Sequence, residues 1–195
     1  MGLNVLRKIN SKLRFLYRNK KALSASLKRL LCNSLIQPHF DYASLSWFPN
    51  LPEKIRKKIQ TAQNKCIRFC LQLDNKAHIG IDQLKQISWL NTTDRYKQMS
   101  CTSVYKFFNN NCPAFMSEIF KVSHQGNITT RHSYLKLEQP FMKTSNGQNA
   151  LSFQGSREWN KIPREIKNTK HINSFKHKLK KFYICELENR ELRGL

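Results

Sequence analysis

An all-α fold is predicted by three features of this 195-residue chain. Leu, Ile, Val and Phe supply 51 residues, enough for a packed core, yet only three of them are Val, the type that strands select. Apolar residues recur at steps of three and four, the helical period, through most of the chain. Period-two alternation is confined to a weak stretch at Ser133–Leu137, a short strand at best.

The first helix is predicted from Leu3, Leu6, Ile9, Leu13 and Leu16, which form one apolar stripe. At about 100° per residue, Arg7, Arg14 and Arg18 fall within roughly 40° of one another on the opposite side. Ser24 is a candidate N-cap for a second helix with Leu27, Leu30, Leu31 and Leu35 on one face. Pro38 lacks a backbone donor, so that helix should kink or stop before Phe40–Trp47. A third helix opens at Leu51-Pro52-Glu53, with Pro at the first turn and an acid where the dipole favours it. Ile55, Ile59, Ala62, Cys66, Phe69, Cys70 and Leu73 form its apolar stripe, about 100° wide. Lys54, Lys57, Lys58, Lys65 and Arg68 gather in a neighbouring arc, and Gln60 and Gln63 take the other flank.

Residues 1–75 thus read as a three-helix region and residues 76–195 as an α-rich segment with loops. In the second part, helices are expected at Asp82–Ile87, Asp94–Phe108 and, for a turn or two, Ala114–Phe120. The polar runs 121–131 and 143–149 read as loops, followed by a turn centred on Trp159. A last helix places Phe175, Leu179 and Phe182 on one face, with Lys176, Lys178, Lys180 and Lys181 elsewhere around it.

Thirty-five Lys and Arg against twelve Asp and Glu give a formal charge of +23. Such a surface repels itself unless a polyanion is near, so nucleic acid is the expected partner and anionic membrane the alternative. The N-terminus alternates apolar and basic residues without a continuous hydrophobic region, and no apolar run reaches the roughly 20 residues of a membrane span. An intracellular chain, nuclear or cytoplasmic, with reduced cysteines is expected.

Enzymatic chemistry finds no foothold. Two-metal phosphoryl transfer needs clustered carboxylates, whereas Asp41, Asp74, Asp82 and Asp94 are scattered. Phe40-Asp41-Tyr42-Ala43 reads like a polymerase metal motif in reverse, but one carboxylate cannot bridge two cations. Cys66 and Cys70 lie in an apolar stripe, where core packing is the simpler reading, and no ligand pair completes a zinc set. His171 and His177 are six apart and do not share a helix face. No catalytic residue, metal ligand or cofactor is assigned. Two runs interleave rings with bases, Arg14-Phe15-Leu16-Tyr17-Arg18 and Lys180-Lys181-Phe182-Tyr183. Such rings either stack on bases or face the core.

Five segments in order carry a family resemblance: Leu13–Arg18, Pro38–Ala43 with Trp47, Asn64–Phe69, Trp159–Pro163, and Phe175-Lys176 with Leu179-Lys180. Together they resemble the region after the polymerase palm in jockey-like and chicken-repeat-type non-LTR retrotransposon reverse transcriptases. The resemblance implies a thumb-like helical bundle over residues 3–73, gripping a template–primer duplex of RNA and DNA, then the C-terminal segment of the same reading frame. The family's paired palm aspartates and its Mg²⁺ have no matching position, so a truncated element product or a host protein derived from one is expected. A palm-containing reverse transcriptase is the implied protein partner. Candidate phosphate contacts are Arg7, Arg14, Arg18, Lys54, Lys57, Lys58, Lys65 and Arg68. The rival expectations are an enzyme completed by a separately encoded palm, a basic protein- or membrane-interaction module, and a genomic relic without function.

Overall fold

The computed structural model describes residues 2–123 and 136–193. All of its regular elements are helical, and the one β pairing among the described residues is an isolated bridge between Val122 and Leu137. The fold is all-α. Its contacts divide the chain into two compact units: the chain up to Tyr96 together with the stretch from Ile184 onward, and Lys97–Tyr183. Residues 76–96 and the C-terminal stretch, which the sequence groups with the second part, therefore fold with the first.

The first unit begins with α1 (Gly2–Arg18), a 3₁₀ turn at Lys20–Ala22 and α2 (Ala25–Leu31). A π turn at Cys32–Ile36 leads directly into α3 (Gln37–Asp41), followed by α4 (Ser44–Trp47), α5 (Glu53–Leu71) and α6 (Ile81–Ile87). Ser24 caps α2 as expected, its hydroxyl accepting from the Leu27 N–H at 3.3 Å. Pro38 does not stop the chain. The wider π turn just before it relieves the clash that the proline ring would make with the carbonyl four residues back.

Leu6, Ile9, Leu13 and Leu16 of α1 are buried, together with Ile59, Ala62, Cys66, Phe69 and Cys70 of α5. Leu3 departs from the expected stripe and is 62% exposed, because it lies within about 20° of Arg14 around the helix. The face of α2 departs further. Leu27 and Leu30 are exposed, and the buried row is Lys28, Cys32 and Ile36, four residues apart. The Lys28 stem packs inward while its ammonium sits 5.9 Å from the centre of the Phe69 ring.

The buried side of α5 is also wider than its apolar stripe. Gln63 is buried and donates to the Leu90 carbonyl at 2.8 Å, while the Gln60 amide oxygen accepts from the N–H and hydroxyl of Thr92. The glutamine flank is thus a docking seam for the segment after α6, and Ile67 beside it is fully buried.

The second helical series runs through α7 (Thr92–Phe108), α8 (Met116–Ile119), α9 (Ser145–Gln148), α10 (Leu151–Lys161), α11 (Arg164–Lys167) and α12 (Ile172–Leu192). Trp159, expected in a turn, is buried inside α10, where Gly155 lets the helix approach Phe120 and Val104. The expected loop at 143–149 contains the short helix α9, capped by the Thr144 hydroxyl. Most of the loop expected at 121–131, and the strand expected at Ser133–Leu137 up to residue 135, lie outside the described residues.

Phe175, Leu179 and Tyr183 form the buried face of α12, so Tyr183 replaces the expected Phe182. Phe175 stacks on Tyr105 at 4.2 Å between ring centres, and Phe108 stacks on Trp159 at 5.3 Å. Among the described residues no helix is long and apolar enough to cross a membrane.

Candidate nucleic-acid interface

Helices α1 and α5 run parallel, since Gly2 meets Leu51 and Ile55 at one end and Tyr17 meets Phe69 at the other. A Cβ at position 2 would lie 2.8 Å from a Leu51 methyl carbon, so the Leu51 side chain would have to shift to admit one. At the Tyr17 end the two basic rows converge. Arg14 and Arg18 of α1 and Lys65 of α5 line one groove of about 460 Å³, with Asn10, Leu13 and Tyr17 as its remaining walls.

The Tyr17 hydroxyl donates to the Lys65 carbonyl at 3.4 Å, and its ring lies 5.0 Å from that of Phe69. Burial pushes its phenol upward, and the nearby Cys66 adds to the shift. Tyr17 therefore stays neutral at neutral pH and serves as a wall rather than a charge.

Arg7, Lys54, Lys57 and Lys58 are exposed along the same two helices, outside the groove. Arg68 is half-buried, and its Nε donates to the Ala77 carbonyl at 2.8 Å. That bond ties the end of α5 to the chain that reverses at Gln72, whose φ is 56°. Arg68 also lines a second pocket beside the groove, with Tyr17 shared between them. No candidate phosphate contact makes an ion pair among the described residues. In contrast, Arg95, Arg190, Arg157 and Lys161 are all engaged by carboxylates.

Sequence reasoning did not settle which way the rings of the two interleaved runs face. Phe15 is 59% exposed, so its ring is free of the core, and it neighbours Arg14 in sequence. Tyr183, in the other interleaved run, is buried and approaches Cys101 at 3.3 Å. Lys20, Lys21 and Lys28 were missed, although the Lys20-Lys21 pair directly after α1 was a visible signal.

Asp41 is occupied structurally. Arg95 grips it with Nε at 3.0 Å and a terminal nitrogen at 2.7 Å. The described residues contain no group of three or more His, Cys, Asp or Glu arranged to hold a metal. Cys66 and Cys70 are buried in the core, as the stripe predicts, and are joined there by Cys32. Burial pushes the Cys66 thiol well up, and the Cys32 thiol is raised by its hydrogen bond to Cys70 and by burial. His171 and His177 are exposed. No family model, curated protein or solved structure matches the chain.

Proposed function

We propose that this chain is a thumb and post-thumb region of the non-LTR retrotransposon reverse transcriptase type. In this reading it holds a template–primer duplex through its phosphate backbone and does no chemistry itself. The observation that carries the reading is the parallel pair α1 and α5, whose unpaired bases converge on the groove of Arg14, Arg18 and Lys65. The five ordered segments of family resemblance support it independently.

Phosphate contacts of this kind set affinity and orientation without reading base identity, as a thumb that tracks any template requires. Arg14, Arg18 and Lys65 would hold adjacent phosphates, with Arg7, Lys54, Lys57 and Lys58 extending the track. The Phe15 ring offers a stacking surface for an unpaired base at the end of the duplex. Polymerisation would depend on a palm that supplies paired carboxylates and Mg²⁺, so a palm-bearing chain is the natural partner. Nuclear and cytoplasmic sites both give access to such partners.

The test is fluorescence anisotropy with DNA duplexes and RNA–DNA hybrids of unrelated sequence. Equal affinities and equal salt slopes across sequences are expected. Affinity that changes by tenfold or more with sequence would contradict backbone binding. Exposure of Leu3 and Phe15 on α1 favours anionic membrane as a second reading. Tighter binding to phosphatidylserine vesicles than to duplex would establish that reading instead.

A further inference from the structure

The pocket beside the groove is built differently from the rest of the basic surface. It has a volume of about 480 Å³ and is lined by Lys20, Lys21, Lys28 and Arg68, with Asp74 the single acid on its wall. These cations come from separate elements. Lys20 and Lys21 sit on the 3₁₀ turn, Lys28 on α2 and Arg68 on the last turn of α5. Lys28 is only 6% exposed, and no ion pair with a carboxylate is present among the described residues. Its ammonium lies 5.9 Å from the centre of the Phe69 ring, which attracts a cation but does not neutralise it.

The Lys28 stem is buried and the residue lines the pocket without a carboxylate partner, so the pocket calls for an anion. A phosphate group matches that requirement. It is small enough for the pocket, carries up to two charges, and accepts several charge-assisted hydrogen bonds from ammonium and guanidinium donors.

We propose that this pocket is a discrete phosphate-binding site in which Lys28 is the buried anchor and Lys20, Lys21 and Arg68 complete the cage. Assigning the phosphate to a nucleic-acid strand rests on the function proposed above; capture of a phosphate group does not. Because Tyr17 walls both cavities, a strand lying in the Arg14–Arg18–Lys65 groove would meet this pocket next along its path.

The experiment is an amide NMR titration of the full chain with inorganic phosphate, against sodium chloride at matched ionic strength. Saturable shifts are expected at Lys20–Leu23 and Gln72–Asn75 with phosphate and not with chloride. Lys28→Met keeps the stem on Phe69 and removes the ammonium. The double variant Lys20→Gln/Lys21→Gln changes only exposed positions, so it decides the matter if Lys28→Met fails to fold. Each should weaken phosphate binding by about tenfold or more, the loss expected from charge-assisted bonds. Shifts equal to those with chloride, or an unchanged dissociation constant in the folded variants, would overturn the site. Duplex added to the phosphate-saturated chain identifies the source. Displacement of phosphate assigns the site to a strand, whereas duplex binding without displacement, or no duplex binding at all, leaves a free-phosphate site and refutes the strand assignment.

Discussion

Replacing Arg190 with Met should destabilise the first unit by about 3 kcal/mol. Asp94, at the start of α7, is 0% exposed, and one terminal nitrogen of Arg190 reaches both of its oxygens at 3.1 and 2.9 Å. Removing one partner of a buried pair weakens the compensation of the charge left behind, which typically costs roughly 3–5 kcal/mol. Two features place this case at the lower end. The Arg190 side chain is itself 39% exposed, so water can follow it in, and Asn91 keeps its bond to Asp94 at 2.9 Å. Methionine retains helix propensity, so the loss reports the ion pair rather than α12 itself. Urea denaturation followed by circular dichroism supplies the midpoint and slope. The double variant Asp94→Asn/Arg190→Met should recover a good part of the loss, since a neutral amide needs no counter-charge. A loss below about 1 kcal/mol, the value of an ordinary surface pair, would refute the reasoning.

Gly155→Ala should destabilise the second unit by about 1 kcal/mol, because its Cβ would lie 3.0 Å from the ring of the fully buried Phe120 and the overpacking outweighs the helical gain; a raised melting temperature would contradict this. Lys167 lies 5.3 Å from the Trp159 ring centre, and burial, reinforced by Arg164 and Lys136, lowers its pKa to about 8. The native state therefore binds this proton more weakly than the unfolded chain, a penalty present below pH 8 and relieved as pH rises toward about 10.5. The stability advantage of Lys167→Met should accordingly be larger at pH 7 than at pH 10, and an equal advantage at both would refute the assignment. Ellman's reagent should label exposed Cys185 first and half-buried Cys112 more slowly. Cys32, Cys66, Cys70 and Cys101 should react only after denaturation, the last with its thiol pushed up to about 12 by burial. Fast labelling of Cys66 in the native chain would show that the core packing is misassigned.

Legibility in the sequence followed local physics. Helix α5 was readable because its apolar period is unbroken over nineteen residues, and its lysines point to solvent as their arc requires. Helix α2 misled for an equally local reason. Four leucines outline a face, but the core selects Lys28, Cys32 and Ile36, and no hydropathy pattern anticipates a lysine whose head is held over an aromatic ring. Trp159 read as a turn because Gly155 and Pro163 bracket it, although the glycine serves close packing inside the helix. The basic rows of α1 and α5 were each visible in sequence. Their convergence at Arg14, Arg18 and Lys65 was not, since it depends on the parallel packing of helices separated by more than thirty residues. The Asp94–Arg190 pair is hidden for the same reason, its partners lying 96 positions apart.

The central claim is that the convergent groove, rather than diffuse positive charge, holds the phosphate backbone. The most direct measurement compares the salt dependence of duplex affinity in two triple variants of equal charge change. Arg14→Gln/Arg18→Gln/Lys65→Gln removes the groove cations, and Lys176→Gln/Lys178→Gln/Lys181→Gln removes exposed lysines of α12. Each neutralised phosphate contributes about −0.9 to the slope of log affinity against log salt, so losing three contacts should flatten the slope by about 2.7. The groove triple is expected to show that change at every duplex sequence, while the α12 triple keeps nearly the wild-type slope. Equal flattening in the two triples would contradict the account.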